Sequence, residues 1–106
     1  MPSYSNAGTV WVGTATAVIH ASFRHDGPNN VSFPAGLFTA APVVQLTAQM
    51  ATSADNPVTA NTVRTAAHGS TGGIDATGFS YVVFAENAVT SDLTVTVQIT
   101  AIAPGP

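Results

Sequence analysis

The C-terminal segment LTVTVQITAIA, residues 93–103, constrains the fold most strongly, because apolar and polar residues alternate along it. Leu93, Val95, Val97, Ile99 and Ala101 fall on one side, and threonines and a glutamine fall on the other. A period of two is typical of a β-strand with one face in the core and one in water. Since no segment shows the 3.6-residue period of an amphipathic helix, the sequence predicts an all-β fold.

Other segments extend this prediction. VVQLTAQM, residues 43–50, alternates in the same way and indicates a half-buried strand. TVWVGTATAVIH, residues 9–20, and FSYVVFAE, residues 79–86, also have strand character, but both of their faces are apolar. The chain therefore contains two strands with more apolar surface than a two-layer sandwich requires.

Turn-forming residues separate these strands. HDGPNN, residues 25–30, predicts a turn before a short strand NVSF, and ATSADNPVTAN, residues 51–61, predicts a loop. NTVRTAAH, residues 61–68, is a weaker strand candidate, and GSTGGIDATG, residues 69–78, predicts a flexible connection. About six strands with such connections predict a small antiparallel β-sandwich, with residues 1–106 as one domain.

The composition excludes several classes of partner. Only 7% of residues are charged, there is no lysine, and the net charge is −3, so a nucleic-acid partner is not expected. No cysteine is present to form a disulfide or a thiolate metal site. Neither a signal peptide nor an apolar run of about 18 residues is visible, so membrane insertion is not expected.

Residues able to perform chemistry are scattered. His20, His25 and His68 match no local metal motif, and the acidic residues lie in or near predicted turns. His25 precedes Asp26 directly, but no nucleophile accompanies the pair in a known spacing. We therefore expect no catalytic residues, no metal, no cofactor and no enzymatic activity.

The two strands that are apolar on both faces predict association. Homo-oligomers normally have closed symmetry, and the surface that they bury is more apolar than other protein surfaces. A trimer or another ring would therefore cover the surplus apolar faces. The alternative is docking onto a larger lattice of different subunits. The residues assigned to this interface are Trp11, Ile19, Val82 and Phe84.

Two phrases in the middle of the chain, SFPAGLFTAAPVV and ATGFSYVV, carry a family resemblance. The order VSFPAGLFTAAPVV, VRTAA, IDATGFSYVVF and LTVTVQITAIA, over about residues 31 to 103, resembles the H-type lectin-like sandwich. It is also similar to small domains in minor tail and receptor-binding proteins of bacteriophages that infect actinobacteria. The resemblance depends mostly on residues that build the fold.

The lectin resemblance implies a six-stranded antiparallel sandwich that forms trimers or hexamers and binds N-acetylgalactosamine-type sugars near subunit boundaries. Arg64 matches a sugar-contacting arginine of that family, and Tyr81 is a candidate aromatic for the same shallow glycan site. The aromatic residue usual in the family's last strand is replaced here by Ile99 and Thr100.

The phage resemblance implies a virion part, assembled in the host cytoplasm. It predicts a non-enzymatic structural protein, a surface or decoration subunit of the tail or capsid, that also aids host adhesion through a host-surface glycan. Its partners would be copies of itself and other virion proteins. The alternative function is a soluble glycan-binding lectin of the H-type-like class.

Overall fold

The computed structural model describes residues 8–50, 57–63 and 74–104, which form strands and connections without a helix. The strands, in chain order, are β1 Val10–Ile19, β2 His25–Ser32, β3 Val43–Met50, β4 Val58–Val63, β5 Ile74–Asp75, β6 Gly78–Ala85 and β7 Leu93–Ile102.

These strands form two antiparallel sheets. The three-stranded sheet has the order β1-β7-β3, and the four-stranded sheet has the order β2-β6-β4 with β5 also pairing with β6. The sheets contact each other from β1 to β2 and from β3 to β4. The predicted all-β antiparallel sandwich is therefore confirmed.

The central strand of each sheet supplies the core. The five residues predicted to face inward from β7 are all at most 7% exposed: Leu93, Val95, Val97, Ile99 and Ala101. Phe79, Tyr81 and Val83 of β6 meet them from the other sheet, each at most 2% exposed. Burying an apolar side chain of this size contributes about 1.5–3 kcal/mol. The alternation in β7 predicted its core residues correctly, whereas both sides of β6 are apolar in the sequence and its inner side was not assigned.

Aromatic rings close the core around Phe33, which directly follows β2. Its ring centroid lies 5.4 Å from Trp11, 5.0 Å from Phe38 and 5.7 Å from Phe79. The first two pairs are edge-to-face, the arrangement that the ring quadrupoles favour. Most of the aromatic residues thus pack against one another inside the sandwich.

The predicted turn HDGPNN lies instead within β2. The pairing of β2 with β6 shifts register between Asp26 and Asn29, and the Gly27–Pro28 peptide bond is cis. Because β2 is an edge strand of the described sheet, Pro28 can occupy an irregularity there without removing a bond that a central strand needs. Turn-forming residues here produce a bulge.

Two further boundaries differ from the prediction. β4 begins at Val58, inside the segment predicted as a loop, and its predicted part beyond residue 63 lies outside the described residues. Ile74 and Asp75, predicted as part of a flexible connection, pair with Phe79 and Gly78. The Asp75 carboxylate accepts hydrogen bonds from the Thr77 and Gly78 backbone N–H groups, at 2.7 and 3.1 Å, which closes this small hairpin.

Candidate functional site

The outer face of the three-stranded sheet is a regular surface that the described residues leave uncovered. We call it the open face. Its members alternate with the core residues along each strand, and all are exposed or half-exposed where their side chains are described. They are Val10, Val12, Thr14, Thr16 and Val18 of β1, Val43, Gln45, Thr47 and Gln49 of β3, and Thr94, Thr96, Gln98, Thr100 and Ile102 of β7.

Four of the five apolar residues of the open face gather at one end, and the fifth, Val18, lies at the other. Ile102 pairs with Val10 on one side and Val43 on the other, so the three form a row across the sheet. Val10 is 53% exposed and Val43 is 55% exposed, and Val12 in the next row is 65% exposed. Side chains at corresponding positions of neighbouring strands lie about 5 Å apart. The result is a continuous aliphatic patch beside a surface formed mainly by threonine and glutamine side chains.

The open face has no charge. None of the residues in β1, β3 or β7 is acidic or basic. The charged residues of the described ranges, all outside these strands, are Arg24, Asp26, Asp75, Glu86 and Asp92. A solvated sheet edge or face ordinarily carries charged side chains, lysine above all, which oppose association. The open face lacks this protection.

The outer face of the four-stranded sheet is different, because the chain covers part of it. Ser80 is 0% exposed, and its hydroxyl donates a hydrogen bond of 2.6 Å to the Asn30 side-chain carbonyl. Val82 is 8% exposed and lies under the bulge of β2. A Cβ atom on Gly27 would sit 3.0 Å from the Val82 Cγ2 atom, so only glycine permits this close approach.

The residues assigned to an interface from the sequence need correction. Ile19 is 0% exposed and belongs to the core. Trp11 points to the inner side of β1, where its ring packs against Phe33 and lies over Gly13. Val82 is buried by the bulge of β2, and only Phe84, at 40% exposed, offers substantial surface. Because both faces of β1 are apolar, alternation alone could not identify the inner one.

A second surface lies where β1 connects to β2. Five residues line a wide-open depression of about 230 Å³: His20, Phe23, His25, Asp26 and Gly27. Phe23 is 57% exposed, although phenylalanine is usually buried. The His25 ring lies 6.2 Å from that of Phe84, which continues the aromatic surface onto β6.

Hydrogen bonds hold the connection that carries Phe23. The Ser22 backbone N–H donates to the Val89 carbonyl at 2.8 Å, and the Val89 N–H donates to the Phe23 carbonyl at 2.9 Å. Ser22 has a φ of 76°, a left-handed conformation that is uncommon for any residue other than glycine. Such a conformation persists only where its surroundings enforce it. These contacts therefore hold the backbone that carries Phe23 in a defined conformation.

Electrostatics at this end of the sandwich centre on Asp92. Its carboxylate accepts a hydrogen bond of 2.9 Å from the Ala21 backbone N–H and lies 3.5 Å from the His20 Nδ1 atom. The Ala21 hydrogen bond chiefly, and then the His20 interaction, hold the pKa of Asp92 below its usual value. Both side chains are more than 60% exposed, so water screens the pair.

The two residues predicted for a glycan site are not placed together by the described structure. Tyr81 is 2% exposed, so its ring is part of the core and offers no face to a sugar, which corrects that assignment. Burial raises the pKa of the Tyr81 phenol, and the nearby Asp26 carboxylate raises it further. Arg64 lies outside the described residues. The sequence offered Phe23 only as one of several aromatic residues able to stack on a sugar, and its 57% exposure is what distinguishes it in the structure.

Across residues 8–50, 57–63 and 74–104, no three side chains of the metal-binding types come together to hold an ion. No helix in those ranges has the length and apolar character needed to cross a bilayer. Comparisons with protein-family models, with curated proteins and with solved structures found no match to this chain.

Proposed function

We propose that the protein is a non-enzymatic structural subunit of a bacteriophage virion, displayed on the tail or capsid surface, where it also aids host adhesion. The observation that carries this proposal is the open face, an uncharged sheet surface with valines more than half exposed. Apolar surface of this kind marks sites of association between proteins. The resemblance to small domains of phage tail and receptor-binding proteins supplies the virion context.

The open face and the surface around Phe23 have different roles in this proposal. In this proposal the open face binds other copies of the chain, as a trimer or hexamer, or other virion proteins. Its valines supply buried apolar area, and its threonine and glutamine side chains supply hydrogen bonds. The exposed Phe23, on the connection between β1 and β2, is then available to a host-surface glycan.

Purified particles test this function. Virions of the encoding phage are banded on a density gradient, and the protein is quantified by mass spectrometry against a known capsid protein. We expect a fixed copy number per particle that survives a second gradient and a salt wash. Absence from the particles, or a copy number that falls with each purification step, would show that the protein is no virion component.

A second candidate function, a soluble glycan-binding lectin, is favoured by the depression at the start of β2. An exposed aromatic ring stacks on the apolar face of a pyranose, and carboxylate and imidazole groups bond its hydroxyls. Phe23, Asp26 and His25 bring these groups to one depression. Its volume of about 230 Å³ is below the 300–1,000 Å³ typical of larger ligands, which suits a single sugar ring.

A glycan array tests the lectin function. If it is correct, the wild-type chain retains one class of saccharide, Phe23→Ala reduces that retention at least tenfold, and Val12→Ala on the open face does not. Arg64→Ala, measured in parallel, tests the residue that the family resemblance implies. A chain that binds no array sugar and no host-wall polysaccharide would argue against the lectin function.

A further inference from the structure

We infer that the open face is the contact through which two copies of this chain associate, with their three-stranded sheets packed face to face. This deepens the proposed function, on whose self-association it rests, by naming the surface and the partner.

The absence of charge favours a second copy as the partner, because a charge close to the axis of a two-fold contact has no opposite charge to meet. Any charged residue near a two-fold axis faces the same charge on the partner, and like charges in contact are strongly unfavourable. The open face avoids this conflict, since none of its residues is acidic or basic. A foreign partner with its own charge pattern would not require such uniform neutrality.

The hydrogen-bonding side chains of the open face also favour a second copy as the partner. All three glutamines of the sequence, Gln45, Gln49 and Gln98, occupy open-face positions. An amide side chain both donates and accepts, as does a threonine hydroxyl, so each of these groups can bond to an identical group on a second copy. A face built from valine, isoleucine, threonine and glutamine is complementary to itself.

The dimensions of the open face fit a weak, specific interface. Three strands spaced about 4.8 Å apart, with about 3.4 Å per residue, give a footprint of about 14 by 30 Å. Projecting side chains enlarge the accessible area, so two copies together bury on the order of 1,000 Å², near the lower limit for a specific interface. We therefore expect dissociation in the micromolar range.

The packing follows the usual geometry of stacked sheets. Two such sheets lie about 10 Å apart with their strands roughly aligned. A two-fold axis parallel to the strands places the row of Val10, Ile102 and Val43 against its own copy. A contact of this kind joins chains in pairs, so it occurs in a dimer or in a hexamer of paired trimers, but not in an isolated cyclic trimer.

Sedimentation equilibrium of the full chain, from micromolar to millimolar concentration, tests the inference with two isosteric variants. Gln98→Glu adds one negative charge in the central strand of the open face, and Asn61→Asp adds one at an exposed position of β4 on the four-stranded sheet. We expect wild type and Asn61→Asp to reach an even-numbered assembly with the same dissociation constant. Gln98→Glu should raise that constant at least tenfold.

Val12→Thr, which replaces one exposed methyl group with a hydroxyl at nearly constant shape, is the second open-face variant if Gln98→Glu unfolds. Circular dichroism and thermal midpoints identify folded samples, and Val12→Thr should raise the constant about threefold. A wild-type monomer at all concentrations, a bare trimer, or equal effects of Gln98→Glu and Asn61→Asp would overturn the inference. These outcomes concern solution mass alone, whereas failure of the proposed function appears as absence from purified virions.

Discussion

The outer faces of the two sheets differ in what covers them. On the four-stranded sheet, Ser80 is 0% exposed and Val82 is 8% exposed, because the bulge of β2 and the Asn30 side chain lie against them. On the three-stranded sheet, Val10 and Val12 are more than half exposed. β1 and β6 are both apolar on two sides, but the chain itself covers much of the second side of β6 and leaves that of β1 open.

A bulge in one strand determines whether the outer apolar face of the neighbouring strand is covered or exposed. A regular strand lies beside its neighbour and leaves that neighbour's faces uncovered, whereas the bulge between Asp26 and Asn29 brings the Gly27 backbone close to Val82. β1 has β7 as its regular neighbour over ten paired positions, and nothing in the described residues projects over its outer side. The chain therefore covers surplus apolar residues of β6 itself, whereas those of β1 stay exposed.

The largest expected change in the free energy of unfolding comes from substituting phenylalanines on opposite sides of β6. Phe79→Ala should lower the free energy of unfolding by about 3–5 kcal/mol, because Phe79 is 0% exposed within the aromatic cluster. Phe84→Ala, at 40% exposed, should cost less than about 1.5 kcal/mol. Urea unfolding measures both. Equal costs would mean that the two sides of β6 are assigned wrongly.

Substitutions at two glycines test whether β2 packs closely on the outer side of β6. Gly27→Ala should cost about 2–3 kcal/mol, because φ is 131° and the new Cβ would lie 2.9 Å from the Tyr81 carbonyl oxygen. Gly36→Ala has the same kind of backbone, with φ of 76°, but nothing within 4 Å of its Cβ, so about 1 kcal/mol is expected. Thermal unfolding of the two variants compares them directly. If Gly36→Ala were the more damaging, the close packing of β2 on Val82 would be disproved.

The pH dependence of stability tests whether Tyr81 is buried on the inner side of β6. Its folded-state pKa is raised, by burial first and by Asp26 second, above the value of about 10 in an unfolded chain. Its contribution to stability is therefore fully present below about pH 10 and is lost as pH rises through the folded pKa. Urea midpoints between pH 8 and 11 should fall more steeply for wild type than for Tyr81→Phe. Parallel slopes would contradict the burial of this phenol.

The smallest effect concerns Asp92 at the rim of the sandwich. Its pKa is lowered by the Ala21 hydrogen bond and by His20, so its contribution is present above the ordinary pKa of about 4 and is lost as pH falls through the lowered value. Asp92→Asn keeps an acceptor for Ala21 but cannot titrate. Its urea midpoint should decline less than that of wild type between pH 5 and 2, and an identical decline would rule out the contribution of this contact.

Regular alternation made the inner side of β7 predictable, because a strand with a regular pleat must place its apolar residues on one side. The alternation of β6 left two apolar sides and did not identify the inner one. β3 also alternates as predicted, but Leu46 and its inward neighbours are only half-buried, since β3 is at the edge of its sheet. Position within a sheet depends on pairing between distant segments, which local pattern does not encode.

Irregular segments were predicted less well for the same reason. Asp26, Gly27 and Pro28 favour a turn locally, yet pairing with β6 keeps them in an edge strand. The inner side of β1 could not be chosen from apolar character, although it carries the small residues Gly13, Ala15 and Ala17 that permit close sheet packing. The exposed ring of Phe23 depends on hydrogen bonds to Val89, a contact between distant parts of the chain.

The pairing of the first and last strands determines how the sandwich responds to force. Val10 at the start of β1 lies beside Ile102 at the end of β7, and the Ala103 backbone N–H donates to the Thr9 carbonyl at 2.9 Å. Hydrogen bonds in an antiparallel pair run perpendicular to the strands. A pull applied between Thr9 and Ala103 would load those bonds one at a time and unzip the pair, whereas a pull along the strands between Thr9 and Leu93 would shear many of them together.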